Sequence, residues 1–364
     1  MLEPIKRNFN NKTELRKIII LFSAFLFLAI CFFIAWYFYR AGQHRELDNN
    51  FFASSTSEQP AAANPVQCIG CVRRALDGVY VQPEAANLPP VAVMIDNHPD
   101  ARPQSGIDQA GLVYEAEVEG FYTRLMAVFA SSSTIPKIGP VRSARPYFAD
   151  WAQELNAVYA HCGGSPEALV NIEQKEIVDL NQFYNGAIFW RSADRSAPHN
   201  IYLSSDNFNK FLADKNISAG NFSFWQFKND SPINNSSSSG EILINYQAPD
   251  FQVKWIYQPS GNNYIRYYGA QPELTADNKL IIAKNIIIQT VPATVVDSDL
   301  RLQMDDVGSG ASTICLDGVC QPGNWTKPDV ATRTKFSYAN GEDVRFNAGP
   351  TWIEVVRPEI KIEY

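Results

Sequence analysis

The longest apolar run in the chain is Ile18 to Tyr39, 22 residues without a charge. A helix rising about 1.5 Å per residue carries such a run across the roughly 30 Å hydrocarbon core of a bilayer. Trp36, Tyr37 and Tyr39 close it where an aromatic belt belongs. Lys6, Arg7, Lys12, Arg16 and Lys17 precede it, whereas Arg40 and Arg45 beyond it are offset by Glu46 and Asp48. The positive-inside bias therefore predicts a cytoplasmic tail over 1–17, a transmembrane helix over 18–39 and the rest of the chain on the far side of the membrane. A cleaved signal peptide would have a shorter apolar region. Leu28-Ala29-Ile30-Cys31 departs from a lipobox at the bulky Ile30, and eight apolar residues follow Cys31. The segment is therefore read as an uncleaved signal-anchor.

After a Ser/Ala/Pro-rich stretch, predicted as a flexible stalk over 40–75, the pattern changes to short runs. Val91–Ile95, Gly111–Ala116, Thr123–Phe129 and Ala157–His161 predict strands, the first a buried one. Ala144, Phe148, Trp151, Ala152 and Leu155 fall at helical spacing, and Pro166 suits the first position of a helix over 167–172. Strand–helix alternation predicts an α+β or α/β domain over 76–228. The Ser/Asn-rich stretch 229–240 is predicted as a linker. Beyond it come Ile242–Ile244, Phe251–Tyr257, Tyr264–Tyr268, Leu280–Val291, Ala311–Leu316, Lys335–Tyr338 and Thr351–Val356, all strand-like and separated by turn dipeptides. Residues 241–364 are therefore predicted as a mostly-β domain.

The charge balance adds one exclusion. A formal net charge of −7, with no basic stripe, argues against a nucleic-acid partner. Cys315 and Cys320 face each other across a predicted Asp317-Gly318 hairpin, which suits a disulfide in an oxidising compartment. Cys68 and Cys71 form a CxxC beside the stalk. No thioredoxin-like helix is predicted there and no second CxxC completes a zinc set, so the pair is read as a local disulfide. Cys162 is left over. Its neighbour His161 points to the opposite face of a strand.

Candidate chemistry concentrates between residues 94 and 200. Asp96 and Asn97 end a strand, with Arg102 close behind, where ligands of α/β sheets commonly bind. Glu115, Glu117 and Arg124 follow. Arg142 and Arg145 are three apart and would share a face of a first helical turn, with Ser143 as its cap and an anion as the guest. Gly163, Gly164 and Ser165 form a second possible anion cradle before a helix. His161, His199, Asp96 and Glu115 are candidate acids or bases. Arg195 and His199 complete the set. Asp96, Glu115 and Glu117 also offer metal-type oxygens. No spacing matches a zinc motif, though, and none makes a GxSxG elbow, so no metal is predicted and the cofactor is left unknown. A buried arginine–carboxylate network that merely holds loops together would use the same residue types.

VAVMIDNHPDARPQSGIDQAGLVYEAEVEGFYTRLMAVF, IGPVRSARPYF and YAHCGGSPEA, with Arg195 and Pro198-His199-Asn200, resemble the YerB-like family of bacterial cell-envelope lipoproteins. NIIIQTV, GSGASTICLDGVCQPGNWTK and AGPTWIEVV resemble that family's second domain. The resemblance runs in order from Leu76 to Val356. It implies two domains divided near residues 225–245 and a place on the outer face of the cytoplasmic membrane. It names no reaction, because the family's domains are of unknown function. Relatives are often lipid-anchored, whereas this chain is read as keeping its helix, and the two cysteine pairs are peculiar to it. Three functions compete: binding of an anionic envelope polymer or an envelope protein, an envelope hydrolase or transferase acting on a phosphodiester or glycan, and structural assembly.

Overall fold

Alternation with a period of two decides how this chain layers. The computed structural model describes residues 68–230 and 240–364, together with Leu21, Phe22, Ser23, Phe25, Leu26, Ile30, Phe32 and Trp36. The predicted tail, most of the predicted membrane helix, the stalk up to residue 67 and linker residues 231–239 lie outside the described residues. The eight described residues of 18–39 are helical. Among the described residues no helix is long and apolar enough to cross a membrane.

Two large sheets build the folded part. The first has ten strands. Numbering the strands of both sheets together in chain order, its members are β1 (Pro90–Asp96), β2 (Leu112–Glu117), β3 (Thr123–Ala130), β4 (Val158–His161), β5 (Asp179–Asn181), β11 (Asn285–Thr290), β12 (Gly308–Leu316), β13 (Val319–Lys327), β14 (Lys335–Tyr338) and β15 (Thr351–Val356). Their spatial order is β14-β13-β12-β11-β15-β2-β3-β1-β4-β5. β15 runs parallel to both of its neighbours, with Glu354 opposite Glu115 on one side and Ile288 on the other. The two sequence domains therefore join edge to edge through β15 and β2. The second sheet is antiparallel: β6 (Glu241–Asn245), β7 (Val253–Gln258), β8 (Asn263–Tyr268), β9 (Gln271–Pro272), β10 (Ile282–Ala283) and β16 (Lys361–Glu363). Residues 68–364 make one compact unit.

Each face of the ten-stranded sheet buries its own apolar set. On one face Val91, Val93, Ile95, Leu125, Ile288 and Trp352 pack against the six-stranded sheet and helix α3 (Ser205–Asp214). On the other, Ala92, Met94, Met126, Val128, Ile353 and Val355 pack against helices α1 (Pro146–Glu154) and α2 (Pro166–Gln174). The strand predicted over Leu280–Val291 is two strands, β10 and β11, one in each sheet. β13 was not foreseen, since Pro322 and Gly323 interrupt its pattern.

Cys315 and Cys320 are directly opposed in the β12–β13 hairpin and bonded; Cys68 and Cys71 form a second, local disulfide. The turn between β12 and β13 has φ of 55° at Asp317 and 79° at Gly318, the left-handed pair that a two-residue hairpin needs.

Residues 138–145 form no helical turn. They run extended as a strap between β1, the 201–203 segment and the start of α2. The Arg142 amide donates to the Met94 carbonyl at 2.9 Å, the Cys162 amide to the Arg142 carbonyl at 3.0 Å and the Val141 amide to the Ile201 carbonyl at 2.6 Å. Gly139 has φ of 142° and packs so closely that a Cβ would lie 2.8 Å from the Ile201 carbonyl oxygen. Helix α1 starts at Pro146 with Arg145 as its N-cap and no side-chain cap, so Ser143 does not cap it.

Candidate functional site

The strap and the end of β1 place charged side chains around one cleft of about 430 Å³. Asp96, the last residue of β1, is buried and holds three groups. Its Oδ1 accepts the His98 amide at 3.1 Å. Its Oδ2 lies 2.7 Å from His199 Nδ1 and 2.9 Å from Arg142 Nε. Against a carboxylate Nδ1 is the hydrogen-bond donor, and Nε2 points away from Asp96. The His98 ring stacks on His199 with centroids 4.8 Å apart. Tyr122 meets the edge of His98.

Glu119 and Arg124 also line the cleft. Glu119 takes Arg145 in a two-pronged pair, with Nε 2.8 Å from Oε2 and Nη2 on Oε1. Arg124 approaches Glu119 at 3.4 Å and donates to the Ser143 carbonyl at 2.8 Å. Burial alone would raise the Glu119 carboxyl, but the charges of Arg124 and Arg145 outweigh it and hold the group at about 2. Burial and repulsion by Arg145 pull the Arg124 guanidinium down to about 10. Three guanidiniums thus share two carboxylates, Asp96 and Glu119.

The remaining candidates lie elsewhere. Glu115 faces the six-stranded sheet. There its Oε2 accepts Arg266 Nη2 at 2.6 Å, while Arg266 also holds Glu273 at 2.6 Å and Glu354 at 3.0 Å. Arg266 is fully buried. Burial disfavours its charge, yet the surrounding acids push its pKa up. Burial and Glu115 in turn push the Glu354 carboxyl up. Asn97 ties this network to the cleft, donating to Thr123 at 2.7 Å and accepting from Gln104 at 2.9 Å and Tyr268 at 3.1 Å. Arg102 stacks over Tyr268 at 3.9 Å and donates to the Asp250 carbonyl. Glu117 pairs with Arg357 at 2.6 Å. The expected grouping of Asp96, Glu115 and Glu117 as one acid–base or metal set is therefore corrected: the last two are taken up between the sheets.

His161 is fully buried, with Nε2 2.8 Å from Asp179 and Nδ1 2.7 Å from the Gly163 carbonyl, so both nitrogens are engaged in holding β4 to its surroundings. It does not converge with Arg142. Ser165 caps α2 through the Ala168 amide. Over Gly163, where φ is 62°, the Phe183 ring would meet a Cβ at 2.6 Å. Arg195 donates to the carbonyls of Asp100 and Pro103. Sequence reasoning placed His98 in the strand-end motif without giving it a role, and missed Glu119 and Tyr122 in the cleft and Arg266 and Glu354 in the network. Arg266 did leave a signal: it occupies the inward position between Tyr264 and Tyr268 in β8.

The chain matches both halves of the family described as "Protein of unknown function (DUF3048)", its N-terminal domain over residues 76–218 and its C-terminal domain over 242–353. It is 29% identical over 291 residues to the Bacillus subtilis (strain 168) protein named "Putative lipoprotein YerB", which covers 77% of this chain and 85% of that one. It also resembles the crystal structure of YerB protein from Bacillus subtilis, with a TM-score of 0.71 and 27% identity, over 80% of this chain and all of that one.

Proposed function

The chain belongs to the DUF3048 family, and from that premise we propose that it is a membrane-associated envelope protein whose cleft binds an anionic ligand. The name of its Bacillus relative supports the membrane association, and residues 18–39 supply the anchor in this reading. The ligand is a phosphate- or carboxylate-bearing envelope polymer, or an acidic face of a partner protein. The observation that carries the proposal is the pair of guanidiniums that line the cleft, Arg124 and Arg142, set among Asp96, Glu119 and Asp299, with Arg145 paired to Glu119. Arginine forks suit phosphate and carboxylate oxygens, and an anion relieves the repulsion felt by Arg124. Arg142 is the most open of the three, with 28% of its side chain exposed.

The test is thermal unfolding of the full-length protein with phosphorylated and carboxylated envelope fragments. A fragment at 100 times its Kd stabilises the native state by about 2.7 kcal/mol. Arg142→Ala is expected to abolish that gain while melting near wild type without ligand. The proposal fails if no fragment shifts the wild type, or if Arg142→Ala responds in full.

A second reading, an envelope hydrolase or transferase acting on a phosphodiester or glycan, is favoured by the Asp96–His199 pair, which orients an imidazole as a general base. Turnover of a phosphodiester or glycan substrate that is lost in His199→Gln distinguishes it from simple binding.

A further inference from the structure

Among the described residues, one set of three metal-type side chains comes together: His98, Asp100 and His199, with one ligand atom of each within 4.8 Å of the others. We propose that these three residues bind a divalent transition-metal ion of the zinc type at the mouth of the cleft. The proposal rests on the reading of the cleft as a ligand site and adds a cation at its mouth.

The geometry argues for this beyond the bare cluster. The His199 Nδ1 bond to Asp96 is the outer-shell arrangement that fixes a metal-binding imidazole, and it leaves Nε2 as the donor. Asp96 is itself fixed by the His98 amide and Arg142. His98 Nδ1, whose lone pair accepts the Asp100 amide at 3.2 Å, lies 3.6 Å from the Asp100 carboxylate and exchanges that amide for the ion on binding. That spacing is close to the roughly 3.4 Å between ligands that bonds of about 2.1 Å impose on a tetrahedral ion. The Asp100 side chain is 75% exposed and swings to close the remaining gap, whereas the His98 ring, 31% exposed, has to turn out of its stack on His199. His199, at 13%, is the fixed member. Two imidazoles and one carboxylate leave at least one coordination position for solvent or ligand.

The set escapes a sequence scan because its members belong to two distant loops. His98 and Asp100 follow β1, and His199 follows Pro198 before the 201–202 strand.

The experiment uses the full-length protein stripped of metal, with Co²⁺ as a spectroscopic probe and Zn²⁺ as competitor, and no anion present. We expect one Co²⁺ per chain with a visible ligand-field band that Zn²⁺ removes. His199→Ala and His98→Ala should lose binding by more than 100-fold, while their metal-free melting points stay near wild type. Asp96→Asn should weaken binding by about 10–100-fold, as loss of an outer-shell partner does. Arg142→Ala should bind Co²⁺ at least as tightly as wild type, because a neighbouring positive charge is gone, even though it loses the anion. The proposal is overturned if no stoichiometric band develops, or if the His98→Ala/His199→Ala double variant still binds. Because the metal is tested alone, its failure leaves anion binding standing, and failure of the anion test leaves the metal standing.

Discussion

At the scale of single residues, burial decides roles that sequence leaves open. Arg266 carries one positive charge among Glu115, Glu273 and Glu354, so the three acids are not all ionised together. Burial and Glu115 push Glu354 from 4.5 up to about 8, so the folded chain keeps a proton there that the unfolded chain releases. A raised carboxyl contributes stability that is full below the unfolded value and is lost as pH rises towards the folded one. Between about pH 5 and 8 wild-type stability should therefore fall, by at most about 1.4 kcal/mol per pH unit for one proton. Glu354→Gln mimics the protonated acid, and urea melts across that range should show a flatter profile; equal slopes would refute the assignment. Sequence made the acidic and basic residue types visible but not their partners. Glu115, Asp96 and His199 were all legible as candidates, yet only the last two share the cleft, because Glu115 lies on the strand face that β8 covers.

At the scale of elements, the sequence was most legible where pattern and punctuation agree. The strands at 91–95, 335–338 and 351–356 emerged within a residue or two, and the hairpin at Asp317-Gly318 placed the cysteines opposite each other. A bridge closing a loop of five residues removes little entropy from the unfolded chain. Replacing Cys315 and Cys320 by serine should cost about 2 kcal/mol in denaturant unfolding, with the hairpin still formed. A loss below a few tenths would mean that hairpin hydrogen bonds alone hold the turn. The strap at 138–145 was not legible. Arginines three apart suggest a helix, but cis Gly139-Pro140 and Pro146 frame an extended segment whose hydrogen bonds go to four different neighbours. That lacing fixes Arg142 and Arg145 on a rigid support, which no local periodicity encodes.

At the scale of the molecule, the division near residues 229–240 is a boundary in sequence but not in the sheet. Five strands come from each side of it and meet where β15 pairs with β2. Deleting residues 351–364 should leave the β2 edge bare, and the truncated chain should show raised dye binding and rapid proteolysis within 90–130; an intact, protease-resistant N-terminal half would show that it folds without β15. Translation proceeds from the N-terminus, so the strand that completes the middle of the sheet is made after its other nine strands. The first half must wait, with an open hydrogen-bonding edge on β2, until residues 351–356 have been made. Folding thereby checks that this strand has been made: a chain released before β15 cannot close its own sheet, and it carries the exposed edge that quality-control proteases recognise.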